Sequence, residues 1–281
     1  MRILLTGASG FLGSYIQEES CLRSHEVMCL RHANFRHCEE KVKLFAPEIL
    51  VHSAWGGVSA FDRNDAAIQQ KNLEMSKYIV NCYPFRQIIA LGSQDEYGII
   101  DEIVDENHPL NPVSEYAKAK IALCDYIAEK CSKESVQWQW VRIFNMYGPR
   151  QTPNWLIPSI IRKCLNGEPA MDTTKGEQQY AYLYARDFAS AIVSMYGVQG
   201  KSGIYNLSAS SPLPLKQIFL LIKKLTSSDI EFKFGTIPYR PNQSMMICGN
   251  SKKFNNAFGV FERTTLTDGL KETINSIKRY E

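Results

Sequence analysis

Missing from this sequence is any run of five like charges: 32 lysines and arginines face 29 aspartates and glutamates, for a formal net charge of +3. A nucleic-acid arm or a membrane-surface arm is therefore not expected. No apolar stretch approaches membrane-spanning length. The opening Met1-Arg2-Ile3-Leu4-Leu5 runs directly into a strand pattern, where a signal peptide would have to sit. These absences predict a cytoplasmic protein whose partner is a small molecule. Eight cysteines (Cys21, Cys29, Cys38, Cys82, Cys124, Cys131, Cys164 and Cys248) form no C-x-x-C pair and have no histidine at zinc spacing, so reduced thiols and no metal site are expected. Internal repeats and low-complexity segments are also lacking. What is present, 281 residues of 44% hydrophobic composition, is enough for one large α/β domain or a large domain with a small lobe.

Short apolar runs alternate with helical patterns through the first half, the signature of βαβ units around a parallel sheet. Strands are expected at Ile3–Thr6, Glu26–Leu30, Glu48–His52, Gln87–Leu91 and Gln139–Phe144. Helices are expected at Phe11–Glu19, Ala66–Tyr83 and Ser114–Cys131, the last with Tyr116, Ala119, Ala122, Leu123, Tyr126 and Ile127 at helical spacing. The fold class that follows is α/β, a Rossmann-type doubly wound parallel sheet. After Asn145 the texture changes to Tyr147-Gly148-Pro149 and Pro153, then a helix over Ile157–Leu165 ended by Asn166-Gly167. Residues 1–147, with about 180–198 returning to them, are expected to form the dinucleotide-binding domain. Residues 148–179 and 199–281 are expected to form a smaller C-terminal substrate-binding lobe, with helices at Leu215–Leu225 and Leu266–Ile277.

Immediately after the first strand comes Thr6-Gly7-Ala8-Ser9-Gly10-Phe11-Leu12-Gly13. Glycines at Gly7, Gly10 and Gly13 let the backbone turn tightly and approach a pyrophosphate, whose charge meets the amides opening the next helix. Ser9, Phe11 and Leu12 belong to the same cofactor cradle. The second strand of such a fold usually ends on an acid that grips the ribose 2′-hydroxyl of NAD. Here that place holds Leu30-Arg31-His32. A cation suits the 2′-phosphate of NADP, so NADP(H) is the expected cofactor and NAD(H) the alternative. Arg31 as a plain solvated residue after a strand is the competing reading.

Tyr116 and Lys120 are four apart on one helix face, and Ser93 arrives from the end of the preceding strand. A free tyrosine titrates near ~10, and an adjacent ammonium favours its phenolate. Lys120 would tune Tyr116 and hold a cofactor ribose hydroxyl, while Ser93 would hydrogen-bond the oxygen that becomes or ceases to be a carbonyl. Alone, Tyr-x-x-x-Lys is more often a core tyrosine beside a surface lysine. The glycine turn and Ser93 turn that balance.

With Thr6–Gly13, His52-Ser53-Ala54-Trp55, Gly92–Gly98 (GSQDEYG), Ser114–Lys120 (SEYAKAK), Arg142–Pro149 (RIFNMYGP) and Gly203–Leu207 (GIYNL), the chain resembles the extended short-chain dehydrogenase/reductases, the NAD-dependent epimerase/dehydratase family. The resemblance implies that Ser93, Tyr116 and Lys120 are catalytic, that Ala54 and Trp55 line the cofactor, and that Asn145 contacts the nucleotide diphosphate. It places Arg240 at a second diphosphate contact and groups Gln94 with Ser93, Asn145 and Arg240 on the substrate side. Tyr180 and Ala181 stand where relatives commonly carry an Arg-Asp pair, and the short link from Arg31 to Glu48 truncates the strand that often brings an acid to the adenine.

Dehydratases of the family place an acid directly after the catalytic Ser or Thr. Gln94 stands here, and an amide cannot serve as that acid. The run Ser93-Gln94-Asp95-Glu96-Tyr97-Gly98 looks more like the branch of 4-ketoreductases, in which an acid precedes Tyr-Gly; a single acid in a loop, as Glu96 is, is more often a local cap or ion pair. The resulting expectation is NADPH-dependent reduction of C4 in a nucleotide-linked 4-keto-6-deoxy sugar, with Tyr116 donating the proton. An NAD-dependent nucleotide-sugar 4-epimerase is the alternative, and a non-catalytic dinucleotide sensor is a third class. Relatives are often dimers, making Ala66–Tyr83 with Ser114–Cys131 the candidate homodimer face.

Overall fold

A computed structural model describes residues 1–31, 38–59 and 61–280. Six strands form one parallel sheet in the order Gly203–Leu207, Gln137–Ile143, Gln87–Ser93, Ile49–His52, Arg2–Thr6, Glu26–Leu30. Alternate residues of each strand serve opposite faces. Leu4, Leu50, Ile88 and Ala90 pack under Leu73, Ile79, Leu123 and Ile127 of the helices Ala66–Asn81 and Glu115–Glu134. Leu5, Val51, Ile89 and Leu91 pack against Ile16, Phe188 and Ile192 of the helices Phe11–Leu22 and Ala185–Ser194. Burial on both faces explains why the strands read as unbroken apolar runs. A sheet so covered is the Rossmann-like, doubly wound fold expected from the sequence.

Strand order reverses between Arg2–Thr6 and Ile49–His52, whose last residues Thr6 and His52 are register partners. Carboxyl ends of strands at such a switch point leave a crevice between diverging loops. Among the described residues Glu26–Leu30 is one of the sheet's two edge strands, in keeping with the short link that follows it. That link carries a helix the sequence did not announce, Glu39–Phe45, with only Val42 buried.

A third core cluster joins the helices Leu156–Leu165, Leu215–Thr226 and Leu266–Tyr280 through Ile161, Ile218, Ile222 and Ile274. Beside it the strands Ala170–Thr173 and Glu231–Phe234 pair in parallel. Two segments expected in this lobe lie elsewhere: Gly203–Leu207 is an outer strand of the main sheet, paired with Gln137–Ile143, and Phe254 of the helix Lys252–Phe258 packs into the main core. Among the described residues no helix is long and apolar enough to cross a membrane.

Candidate active site

At the switch point lies a cleft of about 620 Å³. Its floor is the turn after the first strand. Gly7 has φ +76°, and a Cβ there would sit 2.7 Å from Ala54 N; a Cβ on Gly13 would sit 2.0 Å from Gly7 O. Only glycine lets these segments touch. Gly10 opens the helix Phe11–Leu22 without a side-chain cap, and its first turn carries no acid, so its amides are free to meet an anion. Ser9, Phe11 and Leu12 line the cleft beside them.

Under this floor runs a buried relay. Ser76 commits its hydroxyl proton to Asn72 O (2.7 Å), so its Oγ accepts from His52 Nε2 (2.8 Å). His52 Nδ1 then accepts from Thr6 Oγ1 (2.9 Å), which in turn accepts from Ala54 N (3.2 Å). The neutral ring is what this network needs, and burial, reinforced by the charge of Lys120, lowers the His52 pKa to about 3. The relay fixes Ala54 against the glycine turn. Trp55 is anchored by Nε1 to Gln69 Oε1 at 2.9 Å.

Ser114 caps the helix Glu115–Glu134 by accepting from Ala117 N (3.1 Å), and this helix carries Tyr116 and Lys120 to the cleft. Lys120 Nζ donates to Leu91 O (2.7 Å) and lies 3.8 Å from the Trp55 ring and 5.7 Å from the Tyr116 ring. Burial drives the Lys120 pKa down to about 7, against the pull of Glu96. Burial also raises the Tyr116 phenol, with Asp95 in the same direction; a hydrogen bond with Ser93 and the charge of Arg63 act against them. Ser93, at the end of Gln87–Ser93, accepts from Asp95 N (3.2 Å). Ser93, Tyr116 and Lys120 therefore meet in one cleft, beside the glycine turn.

The acid before Tyr97-Gly98 points the other way. Glu96 is fully buried, accepting from Ser93 N (2.8 Å), Trp140 Nε1 (3.0 Å) and Arg142 Nε (2.7 Å). It is an internal ion pair behind Ser93, not a group facing a substrate. Gln94 lines the cleft and donates to Asp95 Oδ1 (3.1 Å). Asp95 is ion-paired with Arg63, a residue no motif had singled out.

On the facing wall stand Asn145 and Gln151. Asn145 Nδ2 and Gln151 Oε1 are buried with no hydrogen-bond partner. Gln151 Nε2 donates to Met146 O (3.0 Å), which fixes the orientation of its amide and leaves the acceptor end unmet. Gln151 follows Tyr147-Gly148-Pro149-Arg150, a turn whose glycine and proline were the only signal near it. Arg31 follows the second strand, is exposed and lines the cleft; His32 lies outside the described residues. Arg240 is not brought to the cleft: it is exposed, its backbone N–H bonded to Gln243 Oε1 (3.2 Å). Tyr180, at the place of the family's arginine, donates to Ser244 O (3.1 Å), and Ala181 is fully buried. Among the described residues no cluster could hold a metal ion.

Known proteins share this fold. The family model of the NAD dependent epimerase/dehydratase family matches residues 3–208. A provisionally named UDP-glucose 4-epimerase of Methanocaldococcus jannaschii is 24% identical over 98% of each chain. A dTDP-6-deoxy-L-talose 4-dehydrogenase (NAD(+)) of Aggregatibacter actinomycetemcomitans is 22% identical over 89% of this chain and 99% of its own. The structure of UDP-glucose 4-epimerase from Thermotoga maritima, with UDP-glucose, superposes with a TM-score of 0.90 at 22% identity, covering 100% of this chain and 99% of that one. The chain belongs to the NAD-dependent epimerase/dehydratase family, the extended short-chain NAD(P)-dependent oxidoreductases.

Proposed function

We propose that this family member interconverts C4 epimers of a nucleotide-linked hexose, with Ser93, Tyr116 and Lys120 as its catalytic residues. The observation that carries the reading is the meeting of these three beside the glycine turn with no free carboxylate next to Ser93. Gln94 is an amide, Asp95 is held by Arg63, and Glu96 is buried behind the site. Elimination of water has no acid to serve it; transfer at C4 needs none. The 4-epimerase names among the relatives support the same choice over a ketoreductase, and the inward turn of Glu96 removes the feature that had favoured reduction.

The uncapped helix end and the glycine floor fit a dinucleotide, with Gly7, Ser9, Gly10, Phe11, Leu12, Gly13, Ala54 and Trp55 as its cradle. When bound there, the nicotinamide supplies the hydride acceptor and donor. Tyr116 takes the proton from sugar O4 and returns it, and Ser93 donates a hydrogen bond to that oxygen. Lys120, 5.7 Å from the Tyr116 ring, favours the phenolate when it is protonated. Asn145 Nδ2 supplies a donor for the diphosphate.

Arg31 favours a second reading, an NADPH-dependent 4-ketoreductase, because a guanidinium at the end of the second strand suits a 2′-phosphate. One experiment separates the two. The purified protein is denatured and its nicotinamide identified, then the native protein is incubated with UDP-, dTDP-, GDP- and CDP-hexoses and with their 4-keto-6-deoxy forms plus NADPH. Co-purified NAD with C4 interconversion and no net consumption of reductant is the expected result. Stoichiometric loss of NADPH on a 4-keto sugar, narrowed by Arg31→Ala, would make the ketoreductase reading the correct one.

A further inference from the structure

We infer that Arg63 and Asp95 form a specificity wall of the sugar subsite, selecting a neutral hexose over a hexuronate; the inference rests on the nucleotide-sugar reading above. Arg63 sits on the short 3-10 turn Asp62–Asn64, with its guanidinium carbon 5.4 Å from the Tyr116 ring centroid. Its Nε donates to Val58 O (3.0 Å) and its Nη1 pairs with Asp95 Oδ2. The other Asp95 oxygen accepts from Gln94 Nε2 (3.1 Å), and the Asp95 backbone N–H donates to Ser93 Oγ (3.2 Å). The pair is thus tied to both residues assigned to O4. Both members line the cleft, so the substituents on the carbons flanking C4 are what they meet.

The charge balance of the wall decides what it accepts. Asp95 is 14% exposed and Arg63 33%, so neither is fully screened by water. A hydroxyl can donate to the carboxylate and accept from the guanidinium. A sugar carboxylate brings a second negative charge beside Asp95 while finding Arg63 already compensated, and like charges held together out of water repel. Replacing Asp95 by asparagine keeps the shape and the acceptor for Gln94 but leaves Arg63 free for a bidentate carboxylate contact.

The test is the ratio of Kd values of the cofactor-loaded protein for UDP-glucose and UDP-glucuronate, which differ only at C6, near neutral pH. Wild type is expected to prefer UDP-glucose by about tenfold or more. Asp95→Asn is expected to move the ratio about tenfold toward UDP-glucuronate, Asp95→Glu to keep the wild-type preference, and Arg63→Gln added to Asp95→Asn to cancel the shift. A wild-type ratio near one, or an Asp95→Asn variant that weakens both ligands equally, overturns the specificity wall and leaves the function reading standing. Failure of wild type to bind UDP-, dTDP-, GDP- or CDP-glucose at all takes down the nucleotide-sugar reading, and the wall with it.

Discussion

On the glycine-turn wall of the cleft, Gly7, Gly13, Thr6, His52 and Ala54 interlock with every polar atom of the relay engaged; on the facing wall, Asn145 Nδ2 and Gln151 Oε1 are buried and unmet. An unmet buried polar group costs about 1–3 kcal/mol. The relay under the first wall is complete in the folded chain, with the helix-end amides left to meet an anion, whereas the second wall is completed by what it binds. Under the proposed function a dinucleotide enters a preformed groove, while the sugar nucleotide meets the groups left unpaired. Substitutions in the first wall should damage the protein or its chemistry, and substitutions in the second should damage affinity alone.

The largest expected effect is at the junction of the two walls. Tyr116→Phe removes only the phenolic oxygen, so turnover should fall by about 10²–10⁴ while cofactor binding stays near wild type. Steady-state kinetics with a cofactor titration reads both. Activity within a few-fold of wild type would remove Tyr116 from the chemistry.

Next comes the pH dependence of the first wall. His52 titrates near 6.5 when unfolded and is held to about 3 when folded, chiefly by burial. Its contribution is fully present above pH 6.5 and is lost as pH falls through about 3. At about 1.4 kcal/mol per unit of pKa, that amounts to roughly 4–5 kcal/mol. Urea midpoints measured across this window should fall more steeply for wild type than for His52→Asn. Parallel slopes would mean that the relay does not depend on a neutral ring.

How much of this was legible beforehand follows the same division. The first wall is built from features that leave sequence traces: unbroken apolar runs in the strands, Tyr116 and Lys120 four apart on a helix, glycines where a Cβ would collide. Most of the expected strands and helices hold, and Ser93, Tyr116, Lys120 and the glycine turn converge as expected. The rest of the cleft depends on directions that no periodicity records. Glu96 turns inward because Trp140 and Arg142, on a strand more than forty residues away, supply its donors. Arg63 reaches Asp95 from a single 3-10 turn, and the orientation of Gln151 is set by a backbone carbonyl. The Glu39–Phe45 helix escaped notice because a single buried residue gives no amphipathic pattern.

Gln151→Met tests the second wall directly. Removal of the unmet acceptor offsets loss of the bond to Met146, so the unliganded protein should change by less than about 1 kcal/mol. KM for the nucleotide sugar should rise about tenfold with kcat unchanged, the signature of lost uniform binding. Thermal unfolding without ligand and steady-state kinetics give the two numbers; a collapse of kcat at constant KM would place Gln151 in the chemistry.

The smallest effect is expected at Arg240, and it bears most sharply on whether the second wall is fixed or closes. The family resemblance puts a diphosphate contact here, yet the side chain is exposed and away from the residues lining the cleft. Its backbone is held by Gln243, and its charge reaches Tyr180, whose phenol is raised by burial and pulled back by Gln243 and Arg240. An exposed guanidinium acting at a distance gains about 0.2–1 kcal/mol, so Arg240→Ala should raise KM roughly two- to threefold at low salt. The difference should shrink when ionic strength shortens the screening length, and kcat should not move. A rise of about tenfold or more that resists salt would mean that Arg240 swings onto the diphosphate in a closed complex. The second wall would then be completed by motion of the chain as well as by the ligand, because only a desolvated, direct contact is both large and insensitive to salt.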